Sequence, residues 1–235
     1  MKTYLWQITA KTNLHVGNEN STSYGIIDKA VQRDVLTGLP CINSSSLKGA
    51  VNEYCCSTGM SPEDRKSLFG SDKRGDKSDS KKGGAVFYDA HILYLPVQDD
   101  VNLFTYATSK SVLEQMKTRL ELFGIGNINP IQFKGAGGRQ YGKSWQREDF
   151  SVLCNDENLP IIARNVLENG ESKNLWYEQV VPAETIFYAV TQESDAVLAD
   201  AINGKVIQIG ANATIGYGYC KFDLIAKYDE TEGKK

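Results

Sequence analysis

The sequence predicts an α+β fold, because segments with the two-residue alternation of strands are interspersed with segments of helical spacing. The chain has 235 residues, of which 41% are hydrophobic, and this is enough to bury a substantial core. No stretch is apolar over the roughly 20 residues that a membrane-spanning helix needs, and the first residues lack the apolar run of a signal peptide. We therefore expect a cytoplasmic globular protein.

The cysteines and histidines narrow the possible chemistry. The five cysteines are odd in number and show no Cys-x-x-Cys spacing, so we expect reduced thiols rather than a disulfide framework or a zinc site. His15 and His91 are the two histidines of the chain. A His-rich metal site or a Ser-His-Asp relay therefore has few candidates.

The chain begins with a strand and a long loop. Residues 4–11 alternate as a half-buried strand does, with Tyr4, Trp6 and Ile8 on one face. The segment over 17–39, here called the first loop, is rich in Gly, Ser, Asn and Asp. Compact domains seldom keep so long a connection unless it is functional or disordered.

Helix and strand signals alternate through the rest of the chain. Asn43 and the serines over 44–46 offer N-cap side chains for a helix that would turn four residues toward the core: Leu47, Ala50, Val51 and Tyr54. The later elements are a loop over 71–84, a strand over 85–97 that ends near Pro96, a helix over 108–123, a hairpin over 161–177 with an Asn169-Gly170 turn, a strand over 178–192, a helix over 194–203 and a strand pair over 206–227. This order is that of a ferredoxin-like (RRM-like) sandwich with insertions.

The charge distribution gives a weak signal for nucleic acid. The net charge of −3 argues against a phosphate-binding protein when taken alone. However, the segment over 122–147, here called the basic segment, has no acidic residue and contains Lys134, Arg139 and Lys143 among glycines and aromatics. Such a segment can neutralise phosphates and stack on bases, or it can be a disordered surface loop or a contact with a neighbouring subunit.

Four motifs occur in an order that resembles the RAMP superfamily, and specifically the backbone subunits of type III CRISPR effector complexes. They are Leu14-His15-Val16-Gly17 with the following 25–34 segment (GIIDKAVQRD), the 40–49 segment (PCINSSSLKG), the 175–185 segment (LWYEQVVPAET) and the 209–218 segment (IGANATIGYG), here called the glycine loop. The 175–185 segment is most similar to the type III-B (Cmr) subunit.

This resemblance implies a single RAMP domain over 1–235, made of a ferredoxin-like palm, a helical finger insertion and a β-hairpin thumb. The insertions would lie at 71–84 and 98–150, and the thumb at 160–178. The resemblance also implies that copies assemble along a guide crRNA with other RAMP subunits and cleave target RNA at regular intervals. The thumb of each copy would flip out one nucleotide of the guide–target duplex. Cleavage would require a divalent metal, most simply Mg²⁺.

The same resemblance assigns the catalytic and metal-binding role to Asp28, with His15 as a possible proton carrier. An aspartate in a polar loop is also a common turn former, Asp34 is a rival that can instead pair with Arg33, and a histidine after an apolar strand is often structural. One carboxylate in a loop can hold Mg²⁺ mostly through waters.

The expected RNA-binding residues have structural alternatives as well. Lys48 lies near a helix N-terminus that attracts anions, but it can be a solvated surface lysine. Glycines of the glycine loop can admit the RNA backbone to main-chain N–H groups, or simply form turns. An open sheet surface edged by these glycines would hold the RNA. The full set of expected RNA contacts is Arg33, Ser44, Ser46, Lys48, Lys134, Arg139, Lys143, Arg164, Gly210, Gly216 and Gly218.

Three other functions compete with the nuclease. The chain can be a non-catalytic guide-RNA-binding backbone, a stand-alone RRM-like RNA-binding protein, or a guide-processing enzyme. The last would need a histidine-centred acid–base site, which two histidines support poorly.

Overall fold

The computed structural model describes residues 1–17, 27–71, 82–126, 128–140, 142 and 145–229. Its strands are β1 (Lys2–Ala10), β2 (Cys41–Ile42), β3 (Val86–Phe87), β4 (Ala90–Asp99), β5 (Leu103–Ala107), β6 (Ile161–Glu168), β7 (Glu171–Gln179), β8 (Ile186–Glu193), β9 (Val206–Gln208) and β10 (Tyr219–Asp229). Its α-helices are α1 (Ser44–Ser57), α2 (Pro62–Phe69), α3 (Lys110–Glu121), α4 (Phe150–Leu153) and α5 (Val197–Ile202). None of the helices in these ranges is long and apolar enough to span a membrane.

One antiparallel sheet forms the centre of the fold. Its strands run in the order β2-β4-β8-β1-β10-β9, with β5 paired to β4 and β3 paired to β8. Strands β6 and β7 form a separate hairpin. The predicted α+β class is therefore confirmed.

Strand β1 lies in the middle of this sheet and is buried on both faces. On one face, Trp6 donates from Nε1 to Thr191 Oγ1 at 2.8 Å, and Glu193 of β8 accepts the N–H groups that begin α5. On the other face, the Gln7 side chain accepts from the Lys134 N–H at 2.9 Å and donates to the Lys134 carbonyl at 2.7 Å. The prediction of a half-buried strand was therefore wrong, because the basic segment packs on the second face at Gln7, while the predicted open sheet surface for RNA stays a prediction.

Most predicted elements lie where the sequence pattern indicates. Helix α1 buries Leu47 and Val51 as predicted and packs Ala50 and Tyr54 partly buried against the core, and it also buries Cys55, which was not predicted. The β6–β7 hairpin turns at Asn169 and Gly170, whose φ angles of 52° and 83° fit a two-residue turn with a left-handed backbone. The predicted loop over 71–84 lies largely outside the described residues.

Strand β4 and helix α2 are among the elements that differ from the prediction. Strand β4 continues through Pro96 to Asp99, because at Pro96 it pairs with β5 while its pairing with β8 has ended at Tyr94. A proline there costs no hydrogen bond on the β8 side. Helix α2 was not predicted, although Ser61 caps it by accepting the Asp64 N–H at 3.0 Å and Pro62 occupies its first turn.

Candidate nucleic-acid interface

Asp28 lies at the base of the β6–β7 hairpin with its side chain exposed. Its N–H donates to the Tyr177 carbonyl at 3.0 Å, and its Oδ2 accepts the Tyr177 N–H at 2.7 Å. The next residue continues this pairing, since the Gln179 N–H donates to the Lys29 carbonyl at 2.9 Å. The predicted catalytic carboxylate is thus attached to the last residues of β7.

A buried ionic cluster stands next to Asp28 on β7. Glu178 is 1% exposed, and its Oε2 accepts from Arg164 Nε at 2.7 Å. Its Oε1 accepts from Asn212 Nδ2 and lies 3.5 Å from His15 Nε2. A buried carboxylate is tolerated only when such partners compensate its lost hydration. Sequence reasoning missed Glu178, although a carboxylate two residues before the apolar Val180-Val181 pair is a signal that could have marked it.

The two predicted cluster members, His15 and Arg164, are both engaged inside the protein. His15 is 3% exposed, and its Nδ1 lies 2.7 Å from the Gln179 carbonyl. Arg164 stacks on the Tyr217 ring at 4.6 Å. Their roles toward RNA stay predictions, and any contact by His15 requires a change in its surroundings.

The glycine loop is attached to the same cluster. The Ala211 N–H donates to the His15 carbonyl at 2.9 Å, and the Gly218 N–H donates to the Asn13 carbonyl at 2.9 Å. A Cβ at Gly210 would overlap the His15 carbonyl, and one at Gly218 would overlap the Ile209 carbonyl. These two glycines are required by the chain's own packing, whereas a Cβ at Gly216 would meet nothing within 4 Å. A close approach of RNA to this loop stays a prediction. The space beside Gly216 would allow it.

The N-terminus of α1 already has an anion of this chain as its partner. The Ser44 N–H donates to Asp89 Oδ1 at 2.6 Å, and Ser46 Oγ accepts from Gln32 Nε2 at 3.3 Å. Lys48 is half-buried, and its ammonium group has no hydrogen bond or ion pair within the described ranges. A phosphate contact at α1 would therefore depend mainly on the Lys48 side chain.

The side chains of Arg33 and Asp34 bind other groups of this chain, in the first loop and in the segments packed against it. Arg33 donates to Asp156 Oδ1 at 2.7 and 3.0 Å and to the carbonyls of Gly38 and Cys154. Asp34 pairs with Arg119 at 3.0 Å rather than with Arg33. Burial opposes ionisation of Asp34, but a Thr37 N–H and the Arg119 charge outweigh it and lower the pKa of this carboxyl. Both residues fasten the first loop, and a phosphate contact by Arg33 stays a prediction.

The described part of the basic segment packs onto the fold. Trp145 is buried against the rings of Tyr94 and Tyr106, at 5.4 and 4.9 Å between centroids. Arg139 donates to the Phe104 carbonyl at 3.0 Å, and Lys134 lines an open groove with Lys11 and Lys221 on the sheet. The predicted RNA contact Lys143 lies outside the described residues.

The described residues contain no group of three or more His, Cys, Asp or Glu side chains that could hold a metal ion. Asp28 pairs with Tyr177, the residue before Glu178. The carboxylate of Glu178 already has Arg164, Asn212 and His15 as partners. Of these two carboxylates, Asp28 faces solvent and Glu178 is buried. A single carboxylate suits a Mg²⁺ ion that keeps most of its waters, and not a closed protein site.

Comparison with known proteins places this geometry in a family. The RAMP superfamily matches residues 7–221. The CRISPR system Cmr endoribonuclease Cmr4 of Pyrococcus furiosus is 26% identical over 287 aligned positions, which cover 95% of this chain and 96% of that protein. The fold is similar to a chain of the type III-B Cmr-beta complex in its apo state, with a TM-score of 0.73, 20% identity and coverage of 94% of this chain and 96% of that one.

The fold is also similar to the oligomeric Cmr4 of Pyrococcus furiosus, with a TM-score of 0.67, 21% identity and coverage of 98% of this chain and 100% of that one. These relatives confirm the resemblance that the four sequence motifs predicted. Because the family match extends over most of its length, the chain belongs to the RAMP superfamily.

Proposed function

We propose that this protein is a backbone subunit of a type III-B CRISPR effector complex in the cytoplasm. In this proposal, copies bind a guide crRNA, assemble along it with other RAMP subunits, and cleave complementary target RNA at regular intervals. The Pyrococcus furiosus relative is named an endoribonuclease, and similar chains occur in an oligomer and in a complex bound to cognate target RNA. The exposed Asp28 carboxylate, fixed to the hairpin base beside the glycine loop, is the observation that carries the proposal.

The arrangement of strands supports a ferredoxin-like palm. The four central strands lie in the order β4-β8-β1-β10, with α1 between β1 and β4 in sequence and α5 between β8 and β10. This is the order expected for two interlocked β-α-β units. The β6–β7 hairpin would then be the thumb, and the segment that carries α3 and α4 would be the finger.

The proposed chemistry uses the target RNA's own ribose. The 2′ oxygen attacks the adjacent phosphorus as its proton passes to Asp28, and the bond to the 5′ oxygen breaks as that oxygen takes a proton from solvent. The products are a 2′,3′-cyclic phosphate and a 5′ hydroxyl. In-line geometry would come from the thumb base, to which Asp28 is attached. A Mg²⁺ ion held by Asp28 and waters would stabilise the negative charge that develops.

Asp28→Asn in the assembled complex tests this proposal. Asparagine can still accept the Tyr177 N–H but cannot take a proton, so we expect target cutting to fall about 100-fold or more. Guide binding should stay within about twofold of the wild type. The exposed Glu114→Gln on α3 serves as a control for the loss of one acidic charge, and chelation followed by Mg²⁺ addition tests the metal requirement.

The alternatives give different outcomes. Full cutting by the Asp28→Asn complex would favour a non-catalytic backbone, for which another subunit cuts. A monomer that stays monomeric with guide RNA in sizing chromatography would favour a stand-alone RRM-like RNA-binding protein. A histidine-centred guide-processing enzyme is disfavoured, because His15 is 3% exposed and His91 is largely buried against Tyr188.

A further inference from the structure

A groove between α1 and α2 is lined by basic residues outside the site around Asp28. One stripe of α1, formed by Ser45, Lys48, Gly49 and Asn52, faces Arg65 of α2 across it. Lys66 also lines the groove, and the lining contains no acidic residue within the described ranges. The described lining therefore contains three basic side chains and no carboxylate, on a protein whose net charge is −3.

Among the described residues, the arginine of this groove has an amide and a thiol as its partners and no carboxylate. Arg65 donates from Nε to Asn52 Oδ1 at 3.1 Å and from Nη1 to Cys56 Sγ at 2.9 Å. Within the described ranges, neither Arg65 nor Lys48 forms an ion pair with an acidic side chain. Two uncompensated cations on facing helices attract an anionic ligand, and an oriented guanidinium is well suited to phosphate.

Gly49 gives an independent indication that something external approaches α1. Glycine is among the least favourable residues inside a helix, and a Cβ at Gly49 would meet nothing within 4 Å. Neither a turn nor internal packing requires glycine at this position. Gly49 also lines a second groove on the other side of α1, which contains Glu53 and extends to Gln208 of β9 and Gly210 of the glycine loop. A chain that crosses α1 at Gly49 would connect Arg65 with the glycine loop.

We propose that the α1–α2 groove is a phosphate subsite for single-stranded guide RNA. Arg65 and Lys48 contact neighbouring phosphates, and Gly49 lets the ribose-phosphate chain pass close to the helix. This inference rests on the proposed function, because it assumes that the chain binds a guide. It adds Arg65 and α2 to the RNA path, which the sequence motifs place at the N-terminal part of α1, up to Lys48 and Gly49, and at the glycine loop.

Cys56 provides a direct test in the unmodified protein. It is the exposed cysteine of the chain, whereas Cys41, Cys55, Cys154 and Cys220 are buried. Because Cys56 contacts Arg65, a guide strand in the groove should shield its thiol. We expect maleimide labelling, followed by intact mass spectrometry, to slow at least fivefold when single-stranded RNA is added at low salt. The original rate should return in 0.5 M salt, where phosphate contacts weaken.

The outcomes separate this inference from the proposed function. RNA that binds in a gel-shift assay but leaves the labelling rate unchanged would overturn the groove subsite and leave the proposed function intact. Protein that binds no RNA at all would contradict the proposed function first. Protection that persists after nuclease treatment would assign the groove to a neighbouring copy of the chain, and would also overturn the subsite.

Two substitutions provide a second test. Gly49→Ala should raise the melting temperature, because alanine favours the helix, and yet should lower guide affinity about fivefold. Arg65→Gln should lower affinity by a similar factor and reduce the salt dependence by about one phosphate contact. Lys110→Gln on α3, where the side chain is 81% exposed, is the matched control and should change affinity less than twofold. Unchanged affinity in both groove variants would contradict the subsite.

Discussion

The glycine loop and the basic segment look alike in sequence but do different things in the fold. Both are rich in glycine, and both were predicted to contact RNA. The glycine loop is bound to the His15 carbonyl and to Glu178, beside the exposed Asp28. The basic segment instead lies over the sheet, where Lys134 pairs with Gln7 and Trp145 is buried. Glycine and lysine content therefore does not distinguish a loop beside the candidate site from a segment that packs over the sheet.

What separates the two regions is the partner of each main-chain group. The main-chain N–H groups of the glycine loop donate to the segment that carries His15, so the positions of the loop and of this ionisable side chain are fixed together. In the basic segment, the main-chain N–H and carbonyl of Lys134 instead bind the uncharged Gln7 side chain of the central strand β1. The first arrangement can transmit a change at the hairpin base to the loop, whereas the second mainly completes a hydrophobic core.

Removing the buried carboxylate should have the largest effect on stability. Glu178→Ala leaves the mostly buried Arg164 without its carboxylate partner, and we expect a loss of about 3–5 kcal/mol in the free energy of unfolding. Gln7→Ala, the matched change under the basic segment, should cost about 1–3 kcal/mol, because it leaves one main-chain donor and one acceptor of Lys134 unpaired. Chemical denaturation of the purified chain measures both. Equal losses would contradict the proposed difference between the two regions.

Glycine substitutions should distinguish the regions next. Gly210→Ala combines a left-handed backbone with an overlap on the His15 carbonyl, and should cost about 2–4 kcal/mol. Gly137→Ala in the basic segment has the same kind of backbone angle but open space around its Cβ, and should cost about 1 kcal/mol. Thermal melts of the two variants give the comparison. A Gly210→Ala protein as stable as Gly137→Ala would mean that the loop yields easily.

Acid should weaken the covered face of the sheet. Tyr188 of β8 pairs with Gln7 of β1 in the sheet. The His91 ring is tilted against the Tyr188 ring, with 5.6 Å between the ring centroids. Burial and the Arg119 charge lower the pKa of His91 from 6.5 to about 4, despite the nearby Asp34 and Asp89. Because the unfolded chain binds this proton more tightly, stability is complete above pH 6.5 and falls as the pH approaches 4.

The expected loss from His91 by pH 4 is about 2–3 kcal/mol. His91→Gln should flatten the pH dependence of the unfolding free energy between pH 6.5 and 4. Asp34, whose pKa is lowered, contributes its own loss in a separate and more acidic window. A pH profile that is the same in the His91→Gln variant would show that His91 is already exposed to solvent or paired differently.

The sequence predicted local structure well where one segment contains its own signal. The Asn169-Gly170 turn and helix α1 depend on neighbouring residues, and both were found where predicted. The sequence could not show that β1 is central, because Gln7 and Thr9 look like solvent-facing residues until the basic segment lies over them. Burial of that face is a long-range property, separated by 127 residues in the Gln7–Lys134 pair.

The same limit applies to the site. The position of Asp28 beside Tyr177 joins residues 149 apart in sequence, and periodicity carries no information on such pairs. The motif resemblance located Asp28, Lys48 and the glycine loop, but it did not identify Glu178 as the buried carboxylate that joins Arg164, His15 and Asn212 of the glycine loop. Nor did it distinguish Gly216 from Gly210 and Gly218, since only the space around each Cβ separates them.

The smallest predicted effect concerns RNA affinity at the basic segment. The double variant Lys134→Gln, Arg139→Gln should lower guide affinity less than threefold, because Arg139 is bound to the Phe104 carbonyl and stacks on its ring. Lys48→Gln removes a cation that has no partner within the described ranges, and should lower affinity about fivefold with one fewer phosphate contact in the salt dependence. Filter binding across a salt series measures both. If the double variant lost two contacts and Lys48→Gln none, the RNA would run along the basic segment, and the roles assigned to the two glycine-rich regions would have to be exchanged.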